Sequence, residues 1–542
     1  MLEVPISKSG PKRRLIDLGE MSPLRFAQYQ QWHDLFISGP TKNVVNTQGN
    51  DFPGLYYYDP RTQEEHVLMF EGPINWDSCA LMRKVIKLEV EDGKDEYHLV
   101  VGLFSSHDLG KAVKLKHWSR KRPFPHKGDT QPRDAMPDQW EALETLISKS
   151  FALMPLPKPD KPHDWQHAAL TCLGTLKKIK VVQERDGKQV SVFFRTFRSD
   201  DSTYAPKYVP ESEFQGTAEL ICQAGLSSAL LAYASTNPKF AGEFRVLGLE
   251  LAKILKHFYD PKTSFLQNTF PPRGEEWERG VIDTWYAFHN LYHVMRVAEL
   301  TEHIESFKAI KDVALKALER TIIFVKSCNY QIPLFAKIRQ SKETSDDADG
   351  KVIGFALNPS VLGMYAKCLV FASRIQPEKG ENYISEAKTA LSYLRRWPIH
   401  QLHHQTLQLS WAASAAHELG ERSWRDDFTR CLLLNCYRKP EQAGLFQGCA
   451  GLSYPSFRET VEAVEPLAEW LDDAPEELHL RQIIQLVLNK AQGFLVNRAD
   501  ILGLPQEGLA TLEQPSACDI GVAIYAAPQI FELARLQRQF KI

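Results

Sequence analysis

Residues 224–234 (AGLSSALLAYA), 409–417 (LSWAASAAH) and 520–527 (IGVAIYAA) are runs in which alanine, glycine and serine recur on every side of a projected helix. A helix on a protein surface tolerates charge along its outer face, whereas one packed on several sides needs small apolar neighbours all round. These runs therefore read as inner helices. The stretch at 305–328 (ESFKAIKDVALKALERTIIFVKSC) is charged along one side and reads as an outer helix.

Working outward from these runs, the apolar spacing is helical from about Trp165 to the C-terminus. It predicts helices near 165–178, 218–235, 240–259, 281–300, 305–328, 359–375, 381–396, 405–419, 422–437, 459–471, 476–496 and 519–538. Short joins at 236–239, 301–304 and 420–421 make neighbouring helices antiparallel hairpins. Long joins precede every second helix, so the period is not that of a tetratricopeptide or HEAT array. The even helices are expected inside, the odd ones outside, and the long loops should gather around one mouth.

Six hairpins with small-residue inner helices resemble the (α/α)6 toroid of the six-hairpin glycosidase superfamily, over about residues 163–542. The resemblance lies in helix rhythm and rests on no signature motif. It implies a mainly α fold with a central pocket of the kind used by glycoside hydrolases, polysaccharide lyases, sugar epimerases and, with different repeats, terpenoid cyclases.

Ahead of the helices the texture changes. Residues 54–58 (GLYYY), 66–70 (HVLMF), 85–90 (VIKLEV) and 97–104 (YHLVVGLF) are β-rich runs separated by turn signals such as Asp59-Pro60. They predict a small, mostly antiparallel β domain over 1–136, with one helix at 23–36. A helix at 137–153 and the proline-spaced stretch 154–162 (MPLPKPDKP) form a linker over 137–162, because prolines cannot continue that helix. The toroid then occupies 163–542.

Composition narrows the function classes. Lys and Arg number 65 against 67 Asp and Glu, and 43% of residues are hydrophobic, so the chain reads as an ordinary globular protein with no nucleic-acid partner. The basic run 116–122 (KHWSRKR) is expected to be a solvated loop. No apolar stretch approaches a membrane span and the first residues lack a secretory apolar core, so a cytoplasmic location and no membrane partner are expected. Nine scattered cysteines without a CxxC pair predict buried free thiols. The oligomeric state is not legible.

The densest chemistry lies in 273–293 (RGEEWERGVIDTWYAFHNLYH). Glu276, Trp277 and Arg279 precede the helix, while Asp283, Trp285, Tyr286 and His289 fall in its first turns. Asp283, Tyr286 and His289 are spaced three apart and can share a face. A carboxylate, a phenol and an imidazole beside tryptophan supply acid–base groups and an aromatic platform for a sugar ring. The plainer alternative is that Asp283 caps the helix while Tyr286 and His289 pack inside. In 195–208 (RTFRSDDSTYAPKY), Tyr204 and Arg198 flank aspartates that suit a turn.

In 444–462 (GLFQGCAGLSYPSFRETVE), Tyr454, Arg458, Glu459 and Glu462 cluster at a helix start. Ser456-x-x-Glu459 has capping-box spacing, and Pro466 predicts a kink. His404 stands with His400 and His403 before an inner helix, but without HExxH spacing or a nearby carboxylate they predict no metal site. Asp519 opens the last helix, as a cap or as a pocket acid. The acidic loop 337–349 (KIRQSKETSDDAD) reads as a flap, and no phosphate-loop or other cofactor motif occurs.

These residues predict an enzyme acting at a glycosidic bond of a small-molecule or oligosaccharide substrate. Asp283 or Glu276 would be one acid–base group and Glu459 or Asp519, across the ring, the other. Three alternatives stay open: a uronate lyase or epimerase using Tyr204, Tyr286, Tyr454 and His289, with arginines meeting the anion; a cyclase with an aromatic-lined cavity; and a non-catalytic scaffold.

Overall fold

The computed structural model describes the backbone of seven strands between residues 13 and 121 and most of 151–540; residues 201–202, 208–217, 271–280, 338–359, 396–408, 447–454, 497–501, 507–521 and some shorter gaps lie outside the described residues, as do the side chains of 194–217 and of everything before 151. Strands β1 (Arg13–Met21), β2 (Asn43–Asn46), β3 (Gly54–Asp59), β4 (Glu64–Glu71), β5 (Lys84–Glu91), β6 (Glu96–Leu103) and β7 (Ala112–Lys121) pair antiparallel in the order β1-β5-β6-β7-β4-β3-β2. The run 116–122 was expected as a loop. Through Lys121 it is instead strand β7, registered against β4 from Glu64↔Lys121 to Glu71↔Lys114. Its flanking alternation Val113-Lys114-Leu115-Lys116 has the strand period. The expected helix at 23–36 lies outside the described residues, as does nearly all of that at 137–153.

Twelve α-helices follow among the described residues: α1 (Trp165–Ile179), α2 (Leu220–Thr236), α3 (Ala241–Leu255), α4 (Thr284–Leu300), α5 (Lys308–Ser327), α6 (Val361–Ile375), α7 (Gly380–Leu394), α8 (Leu409–Glu418), α9 (Arg422–Leu433), α10 (Phe457–Val464), α11 (Leu480–Lys490) and α12 (Pro528–Phe540). Each even helix from α2 to α10 packs against the odd helix after it, and α12 packs against α1. The even helices also contact one another in sequence, and α12 returns to α2. The ring is therefore closed: six hairpins form an (α/α)6 toroid with the even helices as its inner wall.

Burial follows the small-residue pattern. Every residue of α2 from Leu220 to Ala234 is buried, as is all of α10. Outer α5 buries only the stripe Ile310, Ala314, Leu315, Ala317, Leu318, Thr321, Phe324 and Val325. Gly248 on α3 lets the outer helix sit close, since a Cβ there would lie 2.9 Å from Leu231 Cγ. Closure of the ring is fastened by Trp165, whose indole nitrogen donates to Leu488 O at 2.7 Å.

Two element ends depart from expectation. The segment 520–527 does not open the last inner helix: Val522–Ala523 pairs with Thr196 and Phe197, Ile524–Ala526 is a 3-10 turn, and α12 begins at Pro528. Proline is favoured at a first helical position because it lacks the amide proton that position leaves unused. The helix predicted over 459–471 divides at Pro466, with α10 before it and 3-10 geometry over Pro466–Asp473. The kink falls where the proline removes a backbone donor.

Short strand pairs join the entries of the inner helices. Ala218–Glu219 pairs with Thr269–Phe270 before α2, and Val281–Asp283 pairs with Phe335–Lys337 before α4. Thr196–Asp200 and Thr203–Lys207 form a hairpin around the turn that the aspartates at 200 and 201 were expected to build. The six described cysteines are free, and all but Cys328 are buried. No helix of the described residues is long and apolar enough to cross a membrane.

Candidate active site

The inner helices run the same way, so residues at similar depth from their N-termini meet on the ring axis. On α4 the first is Asp283, the N-cap, whose carboxylate accepts from the Trp285 amide at 2.8 Å. His289 follows about 9 Å further along the axis, His293 about 15 Å and Arg296 about 20 Å, at 1.5 Å per residue. His289 and His293 are four apart, hence on one face, and their rings stack at 5.0 Å with planes 20° apart.

Arg458, fully buried near the start of α10, organises this level. Its Nε donates to Glu462 Oε1 at 2.7 Å, one turn on, and its Nη1 donates to Tyr525 O at 2.9 Å. Its Nη2 faces His289 Nε2 at 2.9 Å and His293 Nε2 at 3.4 Å. Glu462 Oε1 also lies 3.1 Å from His289 Nε2 and accepts from Gln529 Nε2 at 3.4 Å. The far nitrogen of His293, Nδ1, lies 3.2 Å from Ser228 Oγ on α2. His289 Nδ1 is buried with no hydrogen-bond partner among the described residues. The Trp285 ring meets His289 edge-on at 4.8 Å, and Trp411 lies 5.5 Å away.

Burial and charge set the protonation states. Desolvation pushes the His289 imidazole below its ordinary range against the pull of Glu462, and His293 falls well below it through burial and the adjacent His289 and Arg458. Both are therefore neutral at pH 7. Burial alone would raise Glu462, but Arg458 and His289 hold it below the usual carboxylate range. Burial likewise opposes the Arg458 charge, and Glu462 more than restores it.

Beneath the histidines lies a cavity of about 20 Å³, room for about one water molecule, lined among others by Ser228, Trp411, Gln529 and Glu532. A charged floor closes it. Arg296 Nη1 donates to Glu532 Oε1 at 2.7 Å and Nη2 to Glu465 Oε1 at 3.3 Å, while Arg535 donates to both carboxylates. Buried Lys367 meets Ser414, Glu418 and Glu469, with its Nζ 2.9 Å from Glu469 Oε2.

The ligand atoms of His289, His293 and Glu462 lie within 4.8 Å of one another, close enough for a metal ion. Arg458 already stands among them. Each of those atoms is within hydrogen-bonding reach of its guanidinium, whose fixed charge takes the place an ion's would have.

Of the residues picked out in the sequence, His289 and Arg458 are brought together at the centre, with Trp285 against His289 and Tyr286 edge-on to Trp285 at 4.7 Å. Asp283 is at the mouth end of α4, partly exposed. Glu459 is buried and accepts from the Ser456 hydroxyl, so the two capping-box side chains bond each other, and Ser456 makes no side-chain cap to the helix amides. Arg198 and Tyr204 lie on the hairpin strands. Glu276, Trp277, Arg279, His404, Tyr454 and Asp519 lie outside the described residues, and the helix Asp519 was expected to open starts at Pro528. His293, Ser228 and Gln529 were not singled out, and Glu462 was noted without a role. Their signal was available: His289-x-x-x-His293 and Arg458-x-x-x-Glu462 place polar residues one turn apart on inner helices.

The closed ring of hairpins and its polar axis define the class: an (α/α)6 toroid with a buried site on the axis of its inner wall. No protein-family model matches the chain, and no curated protein sequence matches it. Among solved structures it is similar to a sugar epimerase from a ruminal bacterium, with 9% identity over 68% of this chain and 97% of that one and a TM-score of 0.46. It is similar also to a D-mannose isomerase (10% identity, 70% and 97% coverage, TM-score 0.48) and to a family 76 glycoside hydrolase from a bovine Bacteroides thetaiotaomicron strain (10% identity, 93% and 99% coverage, TM-score 0.44).

Proposed function

We propose that the toroid is a carbohydrate-active enzyme whose reaction is proton transfer at a sugar carbon beside a carbonyl, the chemistry of an epimerase or isomerase. The observation that carries this reading is the His289–Glu462–Arg458 arrangement with one ring nitrogen unused. His289 Nε2 stands between an acceptor, Glu462 Oε1 at 3.1 Å, and a donor, Arg458 Nη2 at 2.9 Å; in the tautomer that gives its Nε2 proton to Glu462, His289 presents a neutral Nδ1 lone pair, the state a general base requires. When Nδ1 takes a proton, the imidazolium charge falls 3.1 Å from a carboxylate that Arg458 keeps ionised. The same nitrogen can then deliver the proton to the adjacent carbon, which is isomerisation; inversion at the first carbon takes a donor on its opposite face. His289 is fully buried, with the Trp285 ring edge-on at 4.8 Å and Trp411 at 5.5 Å, so in this reading substrate reaches Nδ1 only when neighbouring side chains move, and Trp285 and Tyr286 are the aromatic rings offered to the apolar face of a pyranose. The strand-rich segment 1–136 and the linker 137–162 are in this reading accessory to the toroid.

A second reading, hydrolysis of a glycosidic bond, is favoured by Asp283, a partly exposed carboxylate at the mouth end of α4. Its opposite number would be Asp519 or Glu459, and Glu459 is already bonded to Ser456.

The two are separated by incubating the protein in D2O with a panel of aldoses, ketoses and β- and α-linked disaccharides and following the products by proton NMR. Epimerase or isomerase chemistry gives deuterium at the carbon next to the carbonyl and no new monosaccharide from the disaccharides. New reducing ends without deuterium at that carbon would overturn the proposal in favour of hydrolysis.

A further inference from the structure

The inner wall contributes a serine to the site that no feature of the sequence singled out. Ser228, on α2, is fully buried, and its hydroxyl has two neighbours: Gly225 O at 3.0 Å and His293 Nδ1 at 3.2 Å. The direction of these bonds is fixed from the other side of the imidazole. His293 Nε2 is 3.4 Å from Arg458 Nη2, and a guanidinium nitrogen only donates. Unlike His289 Nε2, which also has Glu462 Oε1 as an acceptor, His293 Nε2 has only this donor as a hydrogen-bond partner among the described residues, so it carries the lone pair, and a neutral ring then carries its proton on Nδ1. Ser228 Oγ accepts that proton and gives its own to Gly225 O, so every proton in the chain has one acceptor.

We infer that Ser228 is a positioning residue: it fixes His293 as the Nδ1-protonated tautomer and so turns the Nε2 lone pair on Arg458. One Nη2 proton of the guanidinium is thereby anchored, and the group is held in the plane that reaches Glu462 through Nε and Tyr525 O through Nη1. The glycine one turn back makes the room. A Cβ at Gly225 would stand 3.3 Å from Pro528 Cγ and 3.8 Å from His293 Nε2, tightening the space in which the ring lies. Burial keeps His293 neutral, as a single tautomer requires. The importance of this chain for turnover rests on the proton-transfer reading; the tautomer itself does not.

The test is a nitrogen–proton correlation spectrum of the full chain with 15N-labelled histidine, His293 being assigned by its loss in His293→Asn. The expected result is a protonated Nδ1 and a bare Nε2 on His293 in the wild type, with Nε2 protonation growing in Ser228→Ala. A protonated Nε2 in the wild type, or an unchanged tautomer in Ser228→Ala, overturns the inference; if the variant does not fold, the wild-type spectrum decides alone. In the D2O assay Ser228→Ala should lose about tenfold in kcat with KM unchanged, the scale of a group acting through another. An Nδ1 tautomer in a protein that moves no deuterium would uphold Ser228 and sink the epimerase reading; deuterium transfer with an Nε2 tautomer would do the reverse.

Discussion

Buried Glu462 takes Arg458 Nε and Gln529 Nε2 as donors on one oxygen and has His289 Nε2 3.1 Å from the same atom. A buried ion pair adds little net stability, but removing one partner strands the other, at a cost of about 3–5 kcal/mol. Glu462→Gln keeps the shape and removes the charge, so urea unfolding should show a loss of that size; a change under about 1 kcal/mol would mean that Arg458 finds water or another acceptor. The histidines supply a pH dependence. Both have folded-state pKa values below the ordinary 6.5, so the unfolded chain takes up protons that the folded one refuses. Their contribution to stability is present above the ordinary 6.5 and is lost as pH falls through the interval below it, by up to about 1.4 kcal/mol per unit for each histidine. His289→Gln combined with His293→Gln should flatten the chemical-denaturation midpoint over that interval; an unchanged slope would place the acid sensitivity elsewhere.

At the level of elements, Asp283 has a structural duty independent of chemistry. Asparagine caps a helix about as well as aspartate, while alanine costs about 1 kcal/mol. Asp283→Asn should therefore melt near the wild type and Asp283→Ala a few degrees lower, whatever the reaction. Gly444 is the sharper case: its φ is +90°, and a Cβ would come within 2.6 Å of Leu486 Cβ on α11. Gly444→Ala should destabilise by about 1–3 kcal/mol in thermal or denaturant melts, since strain and overpacking act together. These elements also show what a single sequence reveals. The hairpin rhythm was legible because small residues surround the inner helices and one-sided charge marks the outer ones, as α2 and α5 demonstrate. The start of α12 was not, because IGVAIYAA satisfies a helical composition and only the Thr196–Phe197 partner shows it to be partly extended. Arg458 and His289 could be picked from local clusters. Their meeting could not, since 169 residues separate them and the Tyr525 carbonyl that completes the site leaves no mark in a side-chain pattern.

Across the whole molecule, ring closure turns twelve short helices into one structure. No inner helix can satisfy its circumference alone, and α12 contacts α1, α2 and α10 at the seam. Residues 528–540 also bring Gln529, Glu532 and Arg535 to the polar axis, so the last helix contributes both wall and floor. Truncation after residue 527 should abolish the single cooperative thermal transition and expose dye-binding apolar surface; retention of a sharp transition at the wild-type temperature would show the seam to be dispensable. The Arg296–Glu465–Glu532–Arg535 cluster lies on the polar axis, with Arg296, Glu465 and Glu532 lining the cavity. Asp283 is a cap and Glu462, Glu465 and Glu532 are counter-charges, while His289 Nδ1 has no hydrogen-bond partner among the described residues. The most direct measurement of this account is the rate of deuterium incorporation beside the sugar carbonyl in His289→Gln and Asp283→Asn under identical conditions. A loss of about 100-fold or more in His289→Gln, with Asp283→Asn close to the wild type, is the predicted result. Full activity in His289→Gln with loss in Asp283→Asn would contradict it.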